Sequence, residues 1–130
     1  VRRIEDWTIV IEDCGWRASH MEALCPLSRD GGQAVAVMRH DYAARHRLAY
    51  AVDGAYLTDI DPTFPRRRHG ADPDRLNRHL RELGIDPAAD DRIENAIPAA
   101  LAIASRITNV MITPQHLRRP ALGAAIPGAY

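Results

Sequence analysis

Apolar and polar positions alternate in short runs over the first half of this 130-residue chain and recur at helical spacing over the second. The run WTIVIE, residues 7–12, is rich in β-branched and aromatic residues and apolar on both faces. It predicts an interior strand from Trp7 to Glu12, with Gly15 opening a turn. Ser19 stands where a helix N-cap belongs, Glu22 follows three residues later as in a capping box, and Met21, Leu24 and Leu27 share a face. A short helix is expected there, ending at Pro26 or just after. Gly31-Gly32 breaks the chain, and QAVAVMRHD, with Val35 and Val37 alternating against smaller or polar neighbours, predicts a second strand.

RLAYAVDGAYLTDIDP carries the clearest local signal. Two alternating runs flank Asp53-Gly54, whose tolerance of positive φ suits a two-residue type I′ turn, so a β-hairpin is predicted. Leu48, Tyr50 and Val52 face one way on its first arm. On the second, register decides whether Tyr56, Thr58 and Ile60 or Leu57 and Asp59 are buried. Asp72, with Pro73 at the first helical position, opens a helix over DPDRLNRHLRELG that Gly84 closes, its buried stripe being Leu76, Leu80 and Leu83. DPAADD reads as a linker. RIENAIPAALAIASRI predicts the longest helix, with Pro98 near its start or kinking it; Thr113-Pro114 begins a last helical turn, and PALGAAIPGAY trails as an extended tail.

This order, one strand, a helix, three strands and then helices, predicts an α+β fold. It consists of a small antiparallel β-sheet of about four strands packed against two or three helices, covered on one face. The length suits one domain, residues 1–130. An apolar share of 46% with only 5% aromatics excludes a disordered chain and rests the core on Ala, Val, Ile and Leu. All 17 basic residues are Arg, which reflects a GC-rich coding genome more simply than selection for guanidinium chemistry. Net charge is zero, so no global field favours nucleic acid or an anionic membrane, and nucleic acid is not expected as a partner. The longest apolar run falls far short of the ~20 residues of a membrane span. The opening residues do not read as a charged-then-apolar leader, and the two cysteines, Cys14 and Cys25, are too few for a disulfide framework. A cytoplasmic location is expected. Because the chain starts with Val1 and reaches its first strand within six residues, it is expected to be a processed or partial product.

The densest chemistry lies in DPTFPRRRHGADPD, residues 61–74. Arg66, Arg67, Arg68 and His69 present donors at the entrance of a helix, where a phosphate or carboxylate partner can dock. Against this, a loop needs solvated residues, and Asp61, Asp72 and Asp74 neutralise the arginines. The prolines at 62, 65 and 73 favour an ordered loop. One arginine is expected to be tethered, by Asp59 or Asp61, and two to be free. Charge is also segregated: residues 66–81 carry six arginines against two aspartates, and residues 82–94 five acids against one arginine. Such a bipolar surface suits protein association. Arg75, Arg78 and Arg81 read as the solvated face of the first long helix.

RHDYAARHR, residues 39–47, crowds His40, Asp41 and His46 into one connection, a candidate ligand site if they line a cleft and otherwise an exposed hairpin loop. The cysteines and histidines match no zinc spacing, and nothing around Cys14 or Cys25 supplies a nucleophile's elbow or oxyanion motif. Asp59 and Asp61 share a strand face but have no further acidic ligands beside them. GxGxxG, P-loop and GxSxG motifs are absent. No metal, cofactor or catalytic residue is expected.

DWTIVIEDCGW, LSRDGGQAVAVMRH, YAVDG, DIDPTFPRRRHGADPDRL, ALAIASRITNVMITPQHL and LGAAIP together cover nearly the whole chain in order. On these segments the chain resembles a family of uncharacterised actinobacterial proteins, a domain of unknown function. The resemblance implies standalone regulators or interaction proteins with no assigned activity, and it makes the arginine loop part of the family pattern. Relatives often carry a helical segment before the first strand, absent here, and asparagines where this chain has Asp41 to Ala44.

These readings lead to a non-enzymatic cytoplasmic protein-interaction or regulatory module, an immunity-like partner protein, binding another protein through Arg66, Arg67, Arg68 and His69. The alternative is a small enzyme or ligand-binding domain with a pocket near His40, Asp41 and Cys14. A homo-oligomer, or association with a missing N-terminal segment, is a further expectation.

Overall fold

In the computed structural model, which describes residues 2–12, 17–40 and 45–111, the chain forms an α+β domain. Two short strands, β1 (Arg2–Ile4) and β2 (Trp7–Ile9), come first, followed by a 3-10 turn (Arg17–Ser19) and helix α1 (Met21–Leu27). Strands β3 (Gln33–His40), β4 (Arg45–Val52), β5 (Ala55–Ile60) and β6 (Arg68–His69) follow, then helices α2 (Asn77–Glu82) and α3 (Ala96–Thr108). The main sheet is four-stranded and antiparallel, in the order β3-β4-β5-β6. The expected α+β class and strand number hold, but the membership differs. Trp7–Ile9 is no interior strand: it pairs only with β1, and Val10 and Ile11 beyond it are 55% and 65% exposed. Its partner strand lies within the six residues before Trp7, which carry no alternation of their own. The two-residue β6, inside the arginine loop, takes the fourth place.

The Asp53-Gly54 turn closes as its sequence dictates, with φ of 51° and 80°. Between Tyr50 and Ala51 the β4–β5 register shifts, so Leu57 is an extra residue in β5. That bulge answers the register question, because Leu57, Thr58 and Ile60 are all buried while Tyr56 swings to the opposite face.

The sheet is covered on both faces, not one. Val35, Val37, Leu48, Tyr50 and Ile60 pack with Leu76, Leu80, Ala100 and Ile103 of the region around α2 and α3. On the other face Ala34, Ala36, Ala49 and Ala51 let Leu24 of α1 approach closely, because a methyl is all that separates helix from strand backbone. Tyr56 donates to the Ser19 carbonyl and Arg47 to Ser19 Oγ, which ties the 3-10 turn to this face. Ser28, fully buried at the end of α1, accepts from the Gly54 amide, and Asp53 accepts from that of Gly31.

Helix boundaries depart from expectation for local reasons. His20, not Ser19, occupies the N-cap of α1 without a side-chain bond, since Ser19 is engaged in the 3-10 turn. Residues 73–76 form turns, and helix α2 begins only at Asn77. Thr58 Oγ1 binds the Pro73 carbonyl at 3.0 Å and holds that approach segment on β5. At its C-terminus the amides of Gly84 and Ile85 bond to Arg81 and Leu80, the Schellman closure the glycine predicts. Pro98 falls in the first turn of α3, where its missing N–H breaks no bond. The Thr113-Pro114 turn and the tail lie outside the described residues. No helix among those described is long and apolar enough to cross a membrane.

Candidate functional site

The arginine loop is a closed and internally bonded structure. The Asp61 amide donates to the Arg67 carbonyl at 3.0 Å, joining the ends, and Asp61 Oδ1 accepts from the Thr63 and Phe64 amides. Pro62 and Pro65 are buried beneath it. Asp61 therefore caps its own turn and, among the described residues, holds none of the loop's arginines. Asp59 holds none of them either, because it pairs with Arg47 at 3.3 Å on the α1 face.

The three arginines separate in role. Arg68 is the tethered one, with its side chain only 17% exposed. Its Nε donates to Asp74 at 2.8 Å, and one terminal nitrogen reaches the carbonyls of Pro65 and Pro87 at 3.1 and 2.6 Å. Its guanidinium holds the Asp74 carboxyl below the usual aspartate range. Arg66 reaches across to Asp90, an exposed pair in the acidic segment that follows α2. Arg67 lies 4.6 Å above the Phe64 ring, a cation–π contact that fixes the guanidinium plane while leaving it in solvent. His69 is exposed and pairs in register with Asp59. Phe64, Arg66, Arg67, Ala89 and Asp90 line a shallow depression of about 360 Å³. The sequence reading missed Phe64 and Asp90. An aromatic three residues before Arg67 was the available signal for the first, whereas the second is a tertiary contact.

The other candidate lies at the far end of β3 and β4. Arg39 opposes His46, His40 opposes Arg45, and the His40 amide donates to His46 Nδ1 at 3.3 Å. Asp41 and Cys14 lie outside the described residues. His46 and Arg39 line a cleft of about 240 Å³ with Thr63, Arg92 and the first turn of α3 from Asn95 to Pro98. Arg92 and Thr63 had no local pattern to mark them, because tertiary packing alone brings them to His46. Glu94 also lines this cleft and opposes its positive charge. Among the described residues no cluster of three His, Cys, Asp or Glu side chains is placed to hold a metal ion.

Charge on α2 and its approach is mostly spent within the domain. Arg75, just before the helix, pairs with Asp72, while Arg78 and Arg106 converge on Glu82, so the solvated face expected of α2 is also a brace to α3.

No curated protein and no solved structure matches the chain. A family model described as a family of unknown function, DUF6461, matches residues 2–126, and the chain belongs to that family.

Proposed function

We propose that this member of DUF6461 is a non-enzymatic protein-interaction or regulatory module, of the immunity-like kind, that binds an acidic surface of another protein. The supporting observation is a division of labour in one loop: Arg68 is consumed in holding it, while Arg66 and Arg67 stand exposed on it beside Phe64. A cation presented on a preorganised loop loses little entropy on binding, and an aromatic–arginine pair is the type of group that anchors interfaces. His69 borders this face. A cytoplasmic setting is part of the proposal, as is an actinobacterial source, which the use of Arg in place of Lys supports.

The test is affinity capture from host lysate with the wild-type chain and with Arg66→Ala/Arg67→Ala, keeping Arg68 so that the loop stays folded. A protein retained by wild type and lost with the variant supports the reading. Identical retention by both, or none by either, overturns it.

The cleft beside His46 favours a second reading, binding of a small anion, because Arg39, Arg92 and His46 share its wall. Thermal-shift titration with inorganic phosphate and short dicarboxylates tests it, with Arg92→Ala as the control. A stabilisation absent from the variant supports this reading, and no shift overturns it.

A further inference from the structure

Two opposite charges stand unpaired in the cleft beside His46. Arg92 and Glu94 both line it, two residues apart and exposed. Among the described residues neither side chain takes part in an ion pair or a hydrogen bond, and the Thr63 hydroxyl on the same wall is likewise unbonded. Elsewhere in the domain neighbouring opposite charges close on one another, as Arg68 does on Asp74, Arg75 on Asp72 and Arg106 on Glu82. Asn95, at the N-cap of α3, makes no capping bond with its side chain, which leaves that amide to the cleft. Arg39 shares the wall but has a partner of its own, and nothing in the site depends on it.

The wall that carries these groups is held in place. The Ile93 amide bonds to the Thr63 carbonyl at 2.9 Å and joins the segment bearing Arg92 and Glu94 to the start of the arginine loop. His46 accepts from the His40 amide through Nδ1, so Nε2 carries the proton and the ring serves the cleft as a donor. Donors for a carboxylate therefore come from Arg92, His46 and Thr63, and an acceptor for a cation from Glu94. Ile93 and Ile97 add apolar surface to the lining. At about 240 Å³ the cleft is smaller than the roughly 300–1,000 Å³ of sites that take drug-sized ligands, which suits a molecule the size of an amino acid.

We propose that this cleft binds a free α-amino acid with an apolar side chain. The carboxylate sits on Arg92, His46 Nε2 and the Thr63 hydroxyl, the ammonium on Glu94, and the side chain against Ile93 and Ile97. The inference rests on the small-anion reading of the same cleft and narrows it. A guanidinium takes a carboxylate through two parallel hydrogen bonds, which makes Arg92 the anchor. A zwitterion satisfies both unpaired charges at once and brings no net charge into the cleft. A dianion does worse, because its second charge faces Glu94. Glu94 is thus the residue that selects an amino acid over a simple carboxylate.

The test is an NMR titration of the full chain that follows the amide signals of Thr63, Glu94 and Ile97. The probes are free leucine, N-acetyl-leucine, leucinamide and inorganic phosphate, each taken to about 20 mM to cover millimolar affinities. Leucine is expected to move all three signals. It should bind at least about tenfold more tightly than N-acetyl-leucine, which lacks the ammonium, or leucinamide, which lacks the carboxylate. Arg92→Ala and Glu94→Gln change exposed side chains and leave the fold intact. The first should weaken leucine about tenfold or more, and the second should bring leucine down to the affinity of N-acetyl-leucine. Phosphate that moves these signals where leucine does not overturns the amino-acid site and leaves the small-anion reading standing. Silence toward all four probes overturns both. N-acetyl-leucine bound as tightly as leucine, or leucine binding indifferent to both substitutions, overturns the proposal as well.

Discussion

Gly70 crosses β5 so closely that a Cβ placed on it would lie 2.2 Å from the carbonyl oxygen of Leu57. Its φ of 128° lies where only glycine is at ease, and the Ala71 and Asp72 amides on its far side bond to the Tyr56 and Leu57 carbonyls. The bulge at Leu57 and the glycine at 70 are thus one device: the bulge offers its carbonyls outward, and the absent side chain lets the returning loop reach them.

Gly70→Ala is therefore expected to cost about 3 kcal/mol or more, combining a forbidden backbone region with overlap against main chain that cannot move aside. Gly84 makes the contrast. Its φ is also positive, at 79°, but a Cβ there meets nothing within 4 Å. Gly84→Ala should cost only about 1–2 kcal/mol of left-handed strain. Urea unfolding of the two variants measures the difference, and equal losses would mean that the close approach at Leu57 is relieved by a shift of the loop.

The arginines should separate in the same assay. Arg68→Ala leaves the Pro65 and Pro87 carbonyls and Asp74 without their donor, and charge-assisted bonds of this kind contribute about 1.5–3 kcal/mol. Arg66→Ala removes an exposed ion pair, for which under about 1 kcal/mol is expected. Arg68→Lys should recover only part of the loss, because an ammonium cannot reproduce the forked contact. If Arg66→Ala destabilises as much as Arg68→Ala, the assignment of Arg68 as the tether is wrong.

Fold class, the hairpin and the closing glycine of α2 were legible because local chemistry decides them: Asp53-Gly54 and Gly84 act through their own backbone. What escaped was set by tertiary context. Nothing near Trp7 showed that its partner strand would be Arg2–Ile4, and nothing near Asp72 showed that Thr58 would hold the Pro73 segment as turns. The alanines at 34 and 36 were read as merely small and those at 49 and 51 were passed over, yet smallness is what seats α1 on the second face. At the candidate site one arginine was expected to be tethered, by Asp59 or Asp61, and two to be free; Arg66 also finds an acid, Asp90, and the partners that hold Arg68, Asp74, Pro65 and Pro87, are chosen by the path of the loop.

Strong acid should act through the same tether. The hydrogen bond from Arg68 lowers the pKa of Asp74 below its ordinary 3.8, so the folded state binds this proton less readily than the unfolded chain. The stabilisation is present above the ordinary value and is lost as pH falls through the folded one. Asp74→Asn should be less stable than wild type at neutral pH, with the gap closing below about pH 4. A gap independent of pH would show that the Asp74 charge is not what Arg68 responds to.

A second pH effect is expected near neutrality, from His79. Burial lowers its pKa below the ordinary 6.5, and Arg78 and Arg106 act in the same direction against Glu82. Its Nδ1 is buried without a hydrogen-bond partner among the described residues. In the window between the folded value and 6.5, the unfolded chain takes up a proton that the folded chain refuses. Stability from His79 is thus complete above 6.5 and falls as pH drops below it. His79→Phe keeps an aromatic ring in place and removes the titration, so the decline in urea midpoint between about pH 7 and pH 5 should be shallower than in wild type. Parallel declines in the two proteins would place the proton uptake at another group.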